Sequence, residues 1–138
     1  MAEVRLPSWP EGTAAVLCVA GPHAIAISTA VRAGDDRLLF ALGQRRKTLA
    51  RLRADPRAAL CVLAERLAIT AYGTVAVVRD ELERMPVTAL ELRVERVQDH
   101  LADGRTEMLT AAGWRWRAER DAEGDGLVRA ELRALAEG

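Results

Sequence analysis

The sequence predicts a mainly β domain, an antiparallel barrel that is either closed or split, with six or seven strands and short flanking helices. Three observations carry this. Short apolar runs rich in Val, Ile and Leu follow one another at hairpin spacing, and turn signals built from Gly, Pro and Asp separate them. Strands do not alternate with helices, as a doubly wound parallel sheet would require. Barrel closure removes the edges that such a meandering sheet would otherwise expose. At 138 residues the chain is the size of one domain, since domains usually run to roughly 100–200 residues.

The elements follow in order. Residues 14–20 and 24–32 form two apolar runs around the Gly21-Pro22-His23 turn and are expected to pair as a hairpin. Ala33-Gly34-Asp35-Asp36 is a second turn, and Arg37 to Leu42 is expected to close a three-stranded meander. After Gly43 the apolar period lengthens. Leu49 and Leu52 mark a helix over Arg45–Ala54, which stops ahead of Asp55-Pro56 because proline disfavours helix in the residue before it. Ala58–Leu63, Leu67–Val78 and Val87–Val97 read as three further strands, with a polar connector around Glu81, Glu83 and Arg84 facing solvent. Gly113-Trp114-Arg115-Trp116-Arg117 alternates aromatic and basic residues and suits a short strand. Asp125 is the expected N-cap of a last helix lined by Val128, Leu132 and Leu135.

Composition narrows the function. Twenty basic residues balance twenty acidic ones, giving a formal net charge of zero, which argues against a general nucleic-acid binder relying on many uncompensated cations. No transmembrane helix is expected, because the long weakly charged run from Thr13 to Val31 is broken by its Gly-Pro turn. Glu3, Pro7, Pro10 and Glu11 do not have the layout of a secretion signal, and a cytoplasmic location is the expectation. Cys18 and Cys61 sit in apolar runs without metal-ligand spacing and are expected to be buried free thiols. No metal site is expected.

One cluster carries chemical information. Arg45-Arg46-Lys47-Thr48 stands at the expected helix start and contains the only lysine of the chain. Cations there oppose the helix dipole, whose N-terminus favours negative charge. An anion among the backbone N–H groups, the cations and the Thr48 hydroxyl would reverse that cost and make a phosphate cradle. A solvated basic turn fits the same four residues equally well.

The order of motifs from Ala14 to Leu63 resembles the FMN-binding split-barrel family named after pyridoxamine 5′-phosphate oxidase. The matching pieces are Gly21-Pro22-His23-Ala24-Ile25-Ala26-Ile27-Ser28, then Arg37-Leu38-Leu39-Phe40, then the run from Arg46 through Leu49, Leu52 and Pro56 to Val62, and Tyr72-Gly73-Thr74-Val75. The resemblance spans residues 6–97 and implies a single FMN-binding split-barrel domain over 1–138, acting as a homodimer on a small-molecule substrate. It implies that Arg46 and Lys47, flanked by Arg45, bind the cofactor phosphate, with the Thr48 hydroxyl added. Ile25, Ala26, Ile27 and Ser28 would line the flavin ring, Leu42 would extend that apolar wall, and the small Ala41 would leave room for the ring.

Departures from the family pattern stand beside these matches. Ile25 and Ala41 replace positions that are often polar, and the Gly-x-Pro-His turn is one residue short, with Gly21 directly before Pro22. Fewer polar ligands leave a deazaflavin as the alternative cofactor, or a non-catalytic dimer that binds a cofactor or other anionic ligand without turning it over or has lost binding altogether. The long C-terminal extension with which pyridoxamine phosphate oxidases hold their substrate is missing, so that particular reaction is not expected. A flavin-dependent oxidoreductase needs no catalytic residue of its own, because the cofactor carries the electrons. Trp114 and Trp116 either cover a barrel or dimer surface or stack near the flavin, and His23 and His100 read as polar surface without a catalytic triad.

Overall fold

The computed structural model describes residues 3–138. Seven strands and two helices follow in the order β1 (Ala15–Val19), β2 (His23–Ile27), β3 (Val31–Gly34), β4 (Arg37–Gly43), α1 (Lys47–Ala54), β5 (Arg57–Ala64), β6 (Leu67–Arg79), β7 (Val87–Asp99) and α2 (Glu119–Glu137). All seven strands belong to one antiparallel sheet with the spatial order β2-β1-β5-β6-β7-β4-β3. The two outermost strands, β2 and β3, are neighbours in sequence, so the sheet curls until its edges meet at Ser28-Thr29-Ala30. This is a split barrel, as the strand pattern predicts.

The expected three-stranded meander does not form. β2 pairs only with β1, while β4 lies between β3 and β7. The run 24–32 breaks at Thr29 because its side chain competes with the backbone for the neighbouring strand. The β3–β4 register pairs Val31 with Leu39, which places Thr29 opposite Ala41. There the Thr29 hydroxyl accepts from the Ala41 N–H at 3.1 Å and donates to the Ala41 carbonyl at 3.4 Å. The segment before β1 covers the β3 edge: the Leu6 N–H donates to the Asp35 carbonyl at 2.8 Å, the Arg32 Nε to the Leu6 carbonyl at 2.9 Å, and the Trp9 Nε1 to the Ala30 carbonyl at 3.1 Å.

Strand alternation divides the apolar residues between two cores. Leu17, Leu60, Val62, Leu38, Phe40 and Leu92 point into the barrel, where Leu49 and Leu52 of α1 pack against them. Leu39 and Ala89 point outward and meet Val128 and Leu132 of α2, with Val31 and Leu82 beside them. β4 is therefore covered on both faces, which is why its sequence is an unbroken apolar run instead of an alternation. Gly73 allows a close approach between β6 and β7: a Cβ there would lie 1.9 Å from the Arg93 carbonyl oxygen.

Three local expectations are corrected. Cys18 is exposed and Cys61 half-buried, because both occupy the outward positions of β1 and β5, and an apolar run does not disclose which of its residues face out. Gly113–Arg117 is irregular chain, not a strand. α2 begins at Glu119, ahead of the expected cap. Asp125 lies inside the helix, buried, and pairs with Arg129 one turn later at 2.9 Å. Gly124 and Gly126 weaken helix propensity, but packing overrides it: a Cβ on Gly124 would come within 3.0 Å of the Met85 methyl. The polar connector is exposed as expected, yet Glu131 of α2 ties it down by accepting from the Glu83 N–H at 2.9 Å and the Arg84 N–H at 3.3 Å. Among the described residues no helix is long and apolar enough to cross a membrane.

Because the Thr29 hydroxyl replaces a backbone rung, Thr29→Val removes a partner from the Ala41 N–H while preserving side-chain shape. A loss of about 1 kcal/mol is expected in urea unfolding, with Thr29→Ser retaining most of the native stability; equal stability of Thr29→Val and the native chain contradicts the bridging role.

Candidate functional site

The seam of the barrel opens into a cleft of about 900 Å³. One wall is the end of β2 with its exit, Ala26 to Thr29, beside the end of β4, Ala41 to Gly43. The opposite wall is the first half of α2, including Gly124, Leu127 and Val128, together with Met85 and Val87. Trp114, Arg115 and Trp116 from the irregular segment complete it, and Arg46 stands at the β4–α1 end. The lining is mainly apolar with a few charges, the composition of a small-molecule site.

The expected site residues divide into three groups. Ala26, Ile27, Ser28, Ala41, Leu42 and Arg46 all line this cleft. Arg45 and Lys47 line an adjoining depression of about 430 Å³ with Gln44, Arg53 and Asp80, and Arg46 borders both spaces. Ile25 and Thr48 line neither. Strand alternation turns Ile25 toward the barrel core while Ala26 faces out, and the cleft begins at Ala26, at the end of the strand. Thr48 is 1% exposed, and its hydroxyl is bonded to the His23 Nε2 at 2.9 Å. The added hydroxyl of the expected cradle thus fastens the β1–β2 turn to α1, and His23 is its partner and not a free surface residue.

The helix start itself keeps its electrostatic character. Arg46 is the N-cap of α1, no side chain caps that end, and no acidic residue occupies the first turn. Arg53 is paired with Asp80 at 3.3 Å. Arg45, Arg46 and Lys47 make no ion pair among the described residues. Uncompensated cations and uncapped N–H groups at one point are the donor set for an anion. At the far end of α1 the charges are balanced: the Asp55 carboxylate accepts from the Arg57 side chain and backbone N–H, which hold its pKa down to about 2.

The sequence reading missed the α2 wall and Met85, since a glycine-interrupted acidic stretch gives no sign of lining a cleft. The aromatic and basic alternation at 114–117 was the available signal for the third wall.

No protein-family model and no curated protein matches the sequence. Solved structures do. A pyridoxamine 5′-phosphate oxidase-type protein of Listeria innocua superposes with a TM-score of 0.52 at 14% identity, over 64% of this chain and 88% of that one. The chain has the pyridoxamine 5′-phosphate oxidase-like split-barrel fold. An F420 reductase gives a TM-score of 0.54 at 13% identity, covering 64% of this chain and 90% of that one. A heme binding protein of Mycobacterium smegmatis gives 0.56 at 18% identity, covering 72% of this chain and 53% of that one. Identities this low establish the architecture alone.

If Thr48 is a structural fastener, Thr48→Val lowers unfolding stability by about 1–2 kcal/mol by leaving the His23 imidazole without its partner. Unchanged stability in urea or thermal unfolding returns Thr48 to the anion site.

Proposed function

We propose that the protein is a small flavin-binding oxidoreductase with FMN in the seam cleft. The observation that carries the reading is Arg46: the one residue of the basic cluster that borders the apolar cleft, placed on an uncapped helix N-terminus. A flat ring with a phosphate tail needs this combination of an apolar wall and a cationic end. Ala26, Ile27, Ala41 and Leu42 would form the wall against which the ring lies, and Arg46 with the first N–H groups of α1 would hold the phosphate. Lys47 and Arg45 would add attraction from the adjoining depression without direct contact.

When bound, FMN supplies hydride and electron transfer. The chain's residues do the remainder. The β2 exit and the end of β4 fix the orientation of the ring, the α2 wall and the tryptophans limit water, and Thr29 keeps the seam from spreading.

A deazaflavin is the second reading, favoured by the likeness to the F420 reductase and by the apolar Ile25 and Ala41. Heme fits less well. Its iron takes His, Cys, Tyr or Met as axial ligand, and among the described cleft residues only Met85 is of these types.

We further infer a homodimer. The outward residues of β2, β1 and β5 form an apolar patch that includes Ala24, Val16, Cys18 and Leu63, with Val16 39% and Leu63 43% exposed. A second copy would cover it, and Val16→Glu is expected to halve the mass measured by sedimentation. A monomeric native protein refutes this.

Titration of the purified protein with FMN tests the cofactor. Bound FMN should shift the flavin absorbance band, and Arg46→Ala should weaken binding roughly tenfold or more, as loss of a charge-assisted hydrogen bond requires. Lys47→Ala should weaken it less. Failure to bind FMN, with binding of the deazaflavin, selects the second reading; failure with both leaves a fold without flavin chemistry.

A further inference from the structure

We propose that Trp114 and Trp116 form a subsite for a planar aromatic substrate carrying an anionic group, which Arg115 reads. The two indole rings stand 5.7 Å apart at 84°, so they form a corner in which one ring presents a face where the other presents an edge. Both remain substantially open, at 42% and 44% exposure. Large aromatic side chains left open inside a cleft have apolar area to bury, and a flat ring in the corner would meet one indole by stacking and the other edge-on, the two favoured aromatic geometries.

The corner is built, not incidental. Its segment has no regular secondary structure, yet the Trp114 Nε1 donates to the Gly12 carbonyl at 2.7 Å. Gly12 adjoins Glu11, which is held to α2 by Arg133 at 2.8 Å and Arg129 at 3.8 Å. The tryptophans are thereby referenced to the same helix that forms the cleft wall. Trp9, the remaining tryptophan, is bonded to Ala30 and packs on the barrel core, so open tryptophan is confined to the cleft.

Arg115, between the two tryptophans in sequence, lines the cleft, as does Arg120 at the start of α2. Neither makes an ion pair among the described residues. Asp121 and Glu123 also line the cleft, on the helix, and Asp125 is already paired with Arg129. An anion is therefore placed toward Arg115, on the loop side. The volume of about 900 Å³ lies near the upper end of the ~300–1,000 Å³ range of small-molecule clefts. It leaves room for a flat substrate beside a ring seated against the strand ends. The role as a substrate subsite rests on the flavin reading; the binding of an aromatic anion does not.

The probe is 2-naphthoate, followed by tryptophan fluorescence and calorimetry on the flavin-free and the FMN-loaded protein, with cyclohexanecarboxylate as the non-planar control. Naphthoate should quench the emission and bind more tightly than the control. Trp116→Ala and Trp114→Ala should each weaken it roughly three- to tenfold, Trp116→Phe should restore most of the loss, and Arg115→Ala should weaken naphthoate but not neutral naphthalenemethanol. Naphthoate binding that is unaltered in both alanine variants, or matched by the control, overturns the subsite. Trp-dependent binding in a protein that takes no flavin keeps the subsite and removes the flavin reading instead.

Discussion

The hydroxyl of Thr29 is the small interaction on which the arrangement turns. A barrel of seven strands has to reconcile the two edges of its sheet, and here the edges are consecutive in sequence. Residues 23–27 bond β1 at one edge of the sheet and residues 31–34 bond β4 at the other, so the chain between them has to cross from edge to edge. Thr29 takes over the rung opposite Ala41 with its side chain, and the backbone is released to turn. The opening left beside Ser28 and Thr29 is the cleft. Barrel closure and the opening of the cleft thus meet in the same residues.

The second constraint is the double burial of β4. Its inward residues complete the barrel and its outward residues are needed by α2. Leu39 of β4 and Ala89 of the neighbouring β7 seat the helix on the outer face, and without the helix the cleft would lose the wall opposite the strand ends. The glycine at 124 serves the same contact, since a side chain there would push Met85 away. A stretch that looks poor as helix is retained because its gap is filled by a neighbour from the connector.

Much of the fold was legible because local and long-range preferences coincide. The β5, β6 and β7 hairpins carry clear apolar runs bounded by turns, and α1 is framed by Gly43 and Pro56. The rest was hidden where a single side chain decides. Nothing in a Val and Ile rich run signals that Thr29 will end a strand. An apolar context does not show that Cys18 faces outward. The glycines at 124 and 126 hide that α2 already runs from Glu119, and the contact of Gly124 with Met85 is not contained in propensity. At the site, the basic cluster was legible as a charge anomaly, but its four members part company in space. Thr48 goes inward to His23, Arg45 and Lys47 turn to a side depression, and Arg46 alone reaches the cleft.

That separation alters which residue matters. The single lysine draws attention by its rarity, but position and not rarity determines contact with a ligand, and guanidinium and ammonium differ in what they can do there. A planar guanidinium can span two anionic oxygens at once, whereas an ammonium acts as a point charge. Placed as the N-cap residue of α1, Arg46 joins its fork to the positive end of the helix dipole at the boundary between apolar wall and solvent. If FMN occupies the cleft as proposed, Arg46→Lys would preserve the charge and the helix start but not the fork, so a loss of FMN affinity in that variant separates bidentate recognition from general attraction, and undiminished affinity points to charge alone.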